Sequence, residues 1–227
     1  MFDWLVAHKE LVTILTNIGT LLIWLVYAQL LYFGFRRQRR PRLIINRGKK
    51  KDINARCIIS NMSAEPIYIQ HIIAELNTTH GKLAKDVTDW EERPDEEGRT
   101  SERQTSRDDT TSDGTRQGPL KSGSYLYITS FNDLVQSVAA ENDIALEDGR
   151  PVGDLAFVSL TIRLICIYGS EDQPIGAERC FYLEDDKRPY SLVPSNWDTR
   201  RLASIWQRRK LRKLVKRLNS SNFPHRY

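Results

Sequence analysis

The feature that most constrains this chain is an uninterrupted run at positions 11–35, LVTILTNIGTLLIWLVYAQLLYFGF, twenty-five residues without Asp, Glu, Lys, Arg or His. A helix needs roughly 20 predominantly apolar residues to cross the hydrocarbon core, with a few more if it tilts. The run therefore predicts one transmembrane helix over 11–35. A cleavable secretory leader would have a basic start, a shorter apolar stretch and a small-residue cleavage site. Here the start is MFDWLVAHKE and the run passes into FGFRRQRRPR, which predicts an anchor that is retained.

Charge gives the expected orientation, because Lys and Arg close to a span stay on the cytoplasmic side. Lys9 alone precedes the helix, whereas Arg36, Arg37, Arg39, Arg40, Arg42, Arg47, Lys49, Lys50 and Lys51 follow it, nine cations within positions 36–51. The expectation is a single-pass protein of the inner (plasma) membrane, with a short tail at 1–10 outside and the rest of the chain cytoplasmic. Within the span, Thr13, Asn17, Thr20, Trp24 and Tyr27 follow steps of four and three, which gathers them on one helical stripe. Such a stripe suits contact with a second transmembrane helix, from another copy or a different membrane protein. The competing reading is that the Thr hydroxyls bond back to their own helix and Asn17 snorkels or sits near the interface.

Beyond the span, charge separates three blocks. Positions 36–51 and 200–217 carry nine cations each, while 52–199 hold 14 Lys and Arg against 27 Asp and Glu, a balance of −13. The overall +5 thus hides an acidic domain between two basic arms, and it does not argue for nucleic acid.

In the acidic block the apolar residues recur with period two, the mark of half-buried strands. Val158, Leu160, Ile162, Leu164, Cys166 and Tyr168 alternate with Ser159, Thr161 and Arg163. Ile53, Ala55, Cys57 and Ile59 repeat the pattern, as do Ile67, Ile69, His71 and Ile73, and shorter candidates lie at 42–46, 125–129 and 178–183. Six or seven strands separated by turn residues predict a mainly β domain over 52–197, an antiparallel immunoglobulin-like β-sandwich. One short helix interrupts it, because Ser130 stands three residues before Asp133 as a capping pair and Phe131, Leu134, Val135 and Val138 form one apolar face. The insert at 77–118 is rich in charge, Thr, Ser and Gly, and is expected to be a mobile polar loop.

The last block, 198–227, begins DTRRLASIWQRRKLRKLVKRL and predicts a basic amphipathic helix. Leu202, Ile205 and Trp206 mark one apolar stripe, expected to dock on the domain. Leu211, Leu214, Val215 and Leu218 mark a second, expected to enter the headgroup boundary. Arg208, Arg209, Lys210, Arg212, Lys213, Lys216 and Arg217 would then meet anionic lipid headgroups beside Arg36, Arg37, Arg39, Arg40 and Arg42. Docking on its own domain or on a partner protein is the competing reading, and nucleic acid ranks below both, because Trp206 is the only ring in this helix.

The motifs of common chemistries are missing. No phosphate-cradling, dinucleotide or nucleophile-elbow spacing occurs, and there is no CxxC or HxxxH. Cys57, Cys166 and Cys180 fall on predicted strands and read as small core hydrophobes. No catalytic residue, cofactor or metal is predicted. The first functional reading is a non-enzymatic binding or scaffold module at the inner membrane surface. A sensory or signalling subunit of a membrane complex is second, and a membrane-surface enzyme whose site is assembled only by folding is third.

Overall fold

A long apolar run with no charge in it favours a helix in an apolar medium, where each turn satisfies its own backbone groups, even though Leu, β-branched and aromatic residues make up most of it. In the computed structural model, which describes residues 8–38, 40–89, 115–169, 173–186 and 189–221, helix α1 spans Lys9–Gln38 and is long and apolar enough to cross a membrane. Its large side chains are exposed on every side, among them Leu15, Leu21, Trp24, Leu30 and Leu31. A helix that is apolar all round is suited to lipid or to a protein core rather than to water. The chain divides into two compact units, Met1–Arg40 and Pro41–Tyr227.

The second unit is mainly β. It begins with β1 (Leu43–Arg47), β2 (Arg56–Asn61), β3 (Ile67–Thr78) and β4 (Gly81–Asp86). Strands β5 (Gly118–Leu120) and β6 (Tyr125–Ser130) lead into helix α2 (Phe131–Glu141). The small hairpin of β7 (Leu146–Glu147) and β8 (Arg150–Pro151) precedes the long strands β9 (Phe157–Tyr168) and β10 (Ile175–Glu184). Strands β11 (Ser191–Pro194) and β12 (Arg200–Leu202) and helix α3 (Ile205–Ser221) follow.

All pairings in the two main sheets are antiparallel. One sheet has the order β1-β2-β6; the other runs β11-β10-β9-β3-β4, with β12 beside β10 and β5 beside β3. The inward residues of both sheets belong to one buried cluster, with Ile45, Cys57, Ile59 and Ile128 from the smaller sheet and Ile67, Ile72, Leu160, Leu164 and Phe181 from the larger. Helix α2 starts on the expected capping box: Ser130 Oγ accepts from the Asp133 amide at 3.1 Å while Asp133 Oδ2 accepts from the Ser130 amide at 3.2 Å. Its Phe131, Leu134, Val135 and Val138 are fully buried in that same core, and Phe131 meets Phe181 edge-on at 4.7 Å. This contact geometry adds to the area that the two rings bury.

Two strands depart from simple alternation. The pairing of β3 with β9 shifts between Ile69 and His71, so an extra residue bulges out and the faces exchange. Ile67 and Ile69 point to the main core as expected, but after the bulge Ile72, Ala74 and Leu76 take over, and His71 and Ile73 turn to the outer face. A second shift, between Asn77 and Thr78, puts Phe157 in the core and leaves Val158 43% exposed, against the expected inward position. The expected polar loop at 77–118 is partly strand: β3 continues to Thr78, turns directly into β4, and β5 closes the segment. Residues 90–114 of that insert lie outside the described residues.

The C-terminal arm also differs from expectation. Residues 200–202 are strand β12 on the edge of β10, and the helix starts only at Ile205. Of the first stripe, Leu202 docks on the domain as expected, but its neighbours do not, and the second stripe docks as well. Ile205 and Trp206 are 69% and 74% exposed, whereas Leu211 is buried with Ile73, Ile165 and Leu202, and Leu214, Val215 and Leu218 pack around them. The bulge in β3 prepares this site by bringing Ile73 to the outer face. Gly176 in β10 lets the helix approach: a Cβ there would meet Leu211 Cδ1 at 2.9 Å, the Leu164 carbonyl oxygen at 3.0 Å and Leu202 Cβ at 3.2 Å. Gly176→Val is therefore expected to cost about 1–3 kcal/mol through overpacking and to loosen α3 from the sheet. Hydrogen exchange across 205–218 checks this, and unchanged protection there would refute the docking role of Gly176.

Candidate functional site

The polar stripe of α1 is the first candidate surface. Spacing of four and three on a 3.6-residue turn keeps Thr13, Asn17, Thr20, Trp24 and Tyr27 on one face of α1. The structure distinguishes among them. The Thr13 hydroxyl donates to the Lys9 carbonyl and the Thr20 hydroxyl to the Thr16 carbonyl, each at 2.8 Å, so both are engaged within their own helix. Off the stripe, Thr16 does the same with Val12. The exposed Asn17, Trp24 and Tyr27 are left as the polar groups that face outward. Asn17 is thus the stripe's amide group, able both to donate and to accept.

The cations after α1 divide as well. Arg36 and Arg37 continue α1, but their side chains and all of Arg39 lie outside the described residues. Arg40 and Arg42 are exposed. Arg47 belongs to the fold: its guanidinium donates to the Leu192 carbonyl at 2.8 Å, tying β1 to β11. Part of the basic segment at 36–51 is thus the core strand β1, with Leu43 and Ile45 buried.

Helix α3 carries the second surface. With Leu211, Leu214, Val215 and Leu218 turned to the sheet, the helical period places Trp206, Arg209, Lys213 and Lys216 on the opposite side. All four are exposed, as are Lys210, Arg212 and Arg217 on the flanks. Among the described residues no acid forms an ion pair with Arg209, Lys210, Arg212, Lys213, Lys216 or Arg217. The Arg209 guanidinium lies 5.4 Å from the Trp206 ring centre, over its face. Of the predicted membrane-surface cations in this helix, Arg208 is half-buried and donates to the Ala203 carbonyl at 2.9 Å.

Two acids of the larger sheet are engaged elsewhere. On its outer face, Lys82, Glu75, Arg163, Glu178 and Arg200 form a continuous ladder across β4, β3, β9, β10 and β12, with contacts of 3.2, 3.4, 3.0 and 2.8 Å in that order. Cross-strand neighbours of opposite sign stabilise register. Glu75 and Glu178 are thereby already paired, so they do not draw the cations of α3.

Between the sheets sits a residue that no motif announces. Arg179 is only 8% exposed, on the inward face of β10, and its guanidinium donates to the Ile45 carbonyl at 2.7 Å, Asn46 Oδ1 at 3.3 Å and the Asn196 and Trp197 carbonyls at 3.2 Å each. Burial pulls its pKa below the usual range; Asp198 opposes that shift and Arg47 adds to it. Every acceptor is neutral, so Arg179 is a structural cross-tie joining the free edge of β1 to the 196–197 loop. The detectable signal was a cation in phase with Ala177, Phe181 and Leu183 on an otherwise apolar strand face.

Titratable chemistry of the usual catalytic kind is sparse. His71 Nδ1 lies 2.7 Å from Asp86 Oδ2, and its buried Nε2 has no hydrogen-bond partner. Asp86 also accepts from the Thr88 amide and hydroxyl. This cluster closes the β3–β4 edge, where Thr88 Oγ1 receives the Ile72 amide at 2.8 Å. Cys57 and Cys166 are buried and Cys180 is half-buried; all three are free thiols. No group of three His, Cys, Asp or Glu converges among the described residues. No protein-family model, curated protein or solved structure matches this chain.

Proposed function

We propose that the chain is a single-pass membrane-anchored binding module, non-enzymatic, whose β-rich unit is held at the inner face of the cell membrane and works through protein contacts. The observation that carries this is helix α1, of membrane-spanning length and apolar on every side, with the Asn17 carboxamide exposed on a stripe with Trp24 and Tyr27. In lipid such a group favours association with a second transmembrane helix, either another copy or a different membrane protein. The two antiparallel sheets around one core support an immunoglobulin-like sandwich as the displayed domain, and the arginines after the span support an inward orientation.

Purification in mild detergent after cross-linking in intact cells tests the reading. The expected result is a cross-linked species containing a second membrane chain. Asn17→Leu is expected to lower its yield about threefold, corresponding to an interhelical polar contact of about 0.6 kcal/mol. A solitary monomer, with yield unaffected by Asn17→Leu, would overturn the reading.

A further inference from the structure

We infer that α3 is a fixed electrostatic foot for an anionic bilayer surface, clamped to the larger sheet by its apolar side rather than inserted into lipid by it. This rests on the membrane-anchored reading above and adds where, and by which chemistry, the soluble unit meets the leaflet.

The amphipathic pattern alone suggests a helix that buries Leu211, Leu214, Val215 and Leu218 among acyl chains. The fold already uses those side chains on Ile73, Ile165 and Leu202, with Gly176 cut back to admit them. What remains outward is charge. Arg209, Lys213 and Lys216 face away from the sheet, flanked by Lys210, Arg212 and Arg217, along a helix of 17 residues, about 25 Å. None of these six pairs with an acid among the described residues, although the same domain has an acidic balance; the outer-face glutamates Glu75 and Glu178 are committed to the Lys82–Arg200 ladder.

A straight row of uncompensated cations held flat on a sheet suits an extended, flat anionic surface, where all of them can engage together. A groove-following nucleic-acid surface would be expected to add base-stacking rings, and Trp206 is the only aromatic residue of this helix. Exposed Ile205 and Trp206 at the helix start supply the shallow apolar contact that headgroup depth favours. The resulting attachment is surface-bound and salt-sensitive, unlike that of an inserted helix.

Acylation by a water-soluble, amine-reactive ester, read lysine by lysine by mass spectrometry, tests this on the full chain in lipid nanodiscs. In discs containing about one-third phosphatidylglycerol, Lys210, Lys213 and Lys216 are expected to react at least about fivefold more slowly than in pure phosphatidylcholine discs, while Lys82 and Lys121 react equally in both. The protection is expected to vanish near 0.5 M salt, and in the Arg209→Glu/Arg212→Glu/Arg217→Glu variant, which keeps the reporting lysines. Equal rates in the two disc types, protection that is the same in neutral lipid, or stronger protection by added RNA homopolymer would each overturn the proposal. A chain that does not enter discs defeats the anchor reading separately, and the same acylation with vesicles of both compositions then still decides the role of α3.

Discussion

Arg179→Leu is expected to lower the stability of the β-rich unit by about 3 kcal/mol, the largest effect of any single substitution considered for this chain. The guanidinium makes four hydrogen bonds from the inward face of β10 and is the main cross-tie between the β1 edge and the 196–197 loop. A charge-assisted bond contributes about 1.5–3 kcal/mol, but the bonds here share one charge whose burial is itself costly, so the net is well below their sum. The Asn196 and Trp197 carbonyls lie beside the 89% exposed Trp197 and recover water, while the Ile45 carbonyl keeps only the Thr199 hydroxyl at 3.4 Å. Thermal unfolding is expected to fall by roughly 6–12 °C at the usual conversion for a domain of this size. Arg179→Lys is expected to recover less than half, because one ammonium cannot span acceptors on two elements. A melting temperature unchanged in Arg179→Leu would show that the cross-tie is dispensable.

The second large effect comes from alkaline pH. Burial pushes the Cys57 thiol up to about 12 and raises Cys166 as well. Both folded-state values lie above the unfolded thiol range near 9. Their contribution is therefore fully present below pH 9 and is lost as pH climbs, because only the unfolded chain releases the two protons in that window. Two protons correspond to roughly 3 kcal/mol per pH unit, so by pH 11 a loss on the order of 5 kcal/mol is expected, comparable with the whole stability of a typical domain. Tyr190, raised chiefly by burial and further by Asp185, adds in the same direction. Urea unfolding at pH 8, 9 and 10 measures the slope, and the Cys57→Ala/Cys166→Ala variant is expected to flatten it. An equal slope in that variant would remove the thiols as the cause.

Local signals translated well where one side-chain period ran without interruption. The uncharged run became α1, the Ser130–Asp133 pair became a capping box, and the alternation from Leu160 to Tyr168 became the centre of β9. Alternation misled where a single extra residue intervened. The bulge near Gln70 reverses the parity of β3, and that reversal carries Ile73 to the face that receives α3. The short strands β4, β11 and β12 were not legible as strands because they bury few residues and are held by backbone pairing to β3 and β10, not by a side-chain pattern of their own.

The candidate surfaces divide the same way. The spacing of Thr13, Asn17, Thr20, Trp24 and Tyr27 places them on one stripe, but only the folded helix shows two of the hydroxyls engaged by their own backbone. For the C-terminal helix, the stripe of Leu and Val and the cations around it are equally plain in the chain. Which apolar phase receives the stripe is not, since a sheet face and an acyl layer are chemically alike to a leucine.

By itself, then, the amino-acid order determined a membrane-length helix, a β-rich acidic unit and two basic arms, because each follows from composition and from periods of 3.6 or two within one segment. Tertiary structure alone decided that Arg179 is a cross-tie, that Gly176 makes room for Leu211, and that α3 turns its charges rather than its leucines outward. Each of those depends on surfaces meeting across many residues of intervening chain, where a bulge of one residue or a missing methyl group sets which faces can touch.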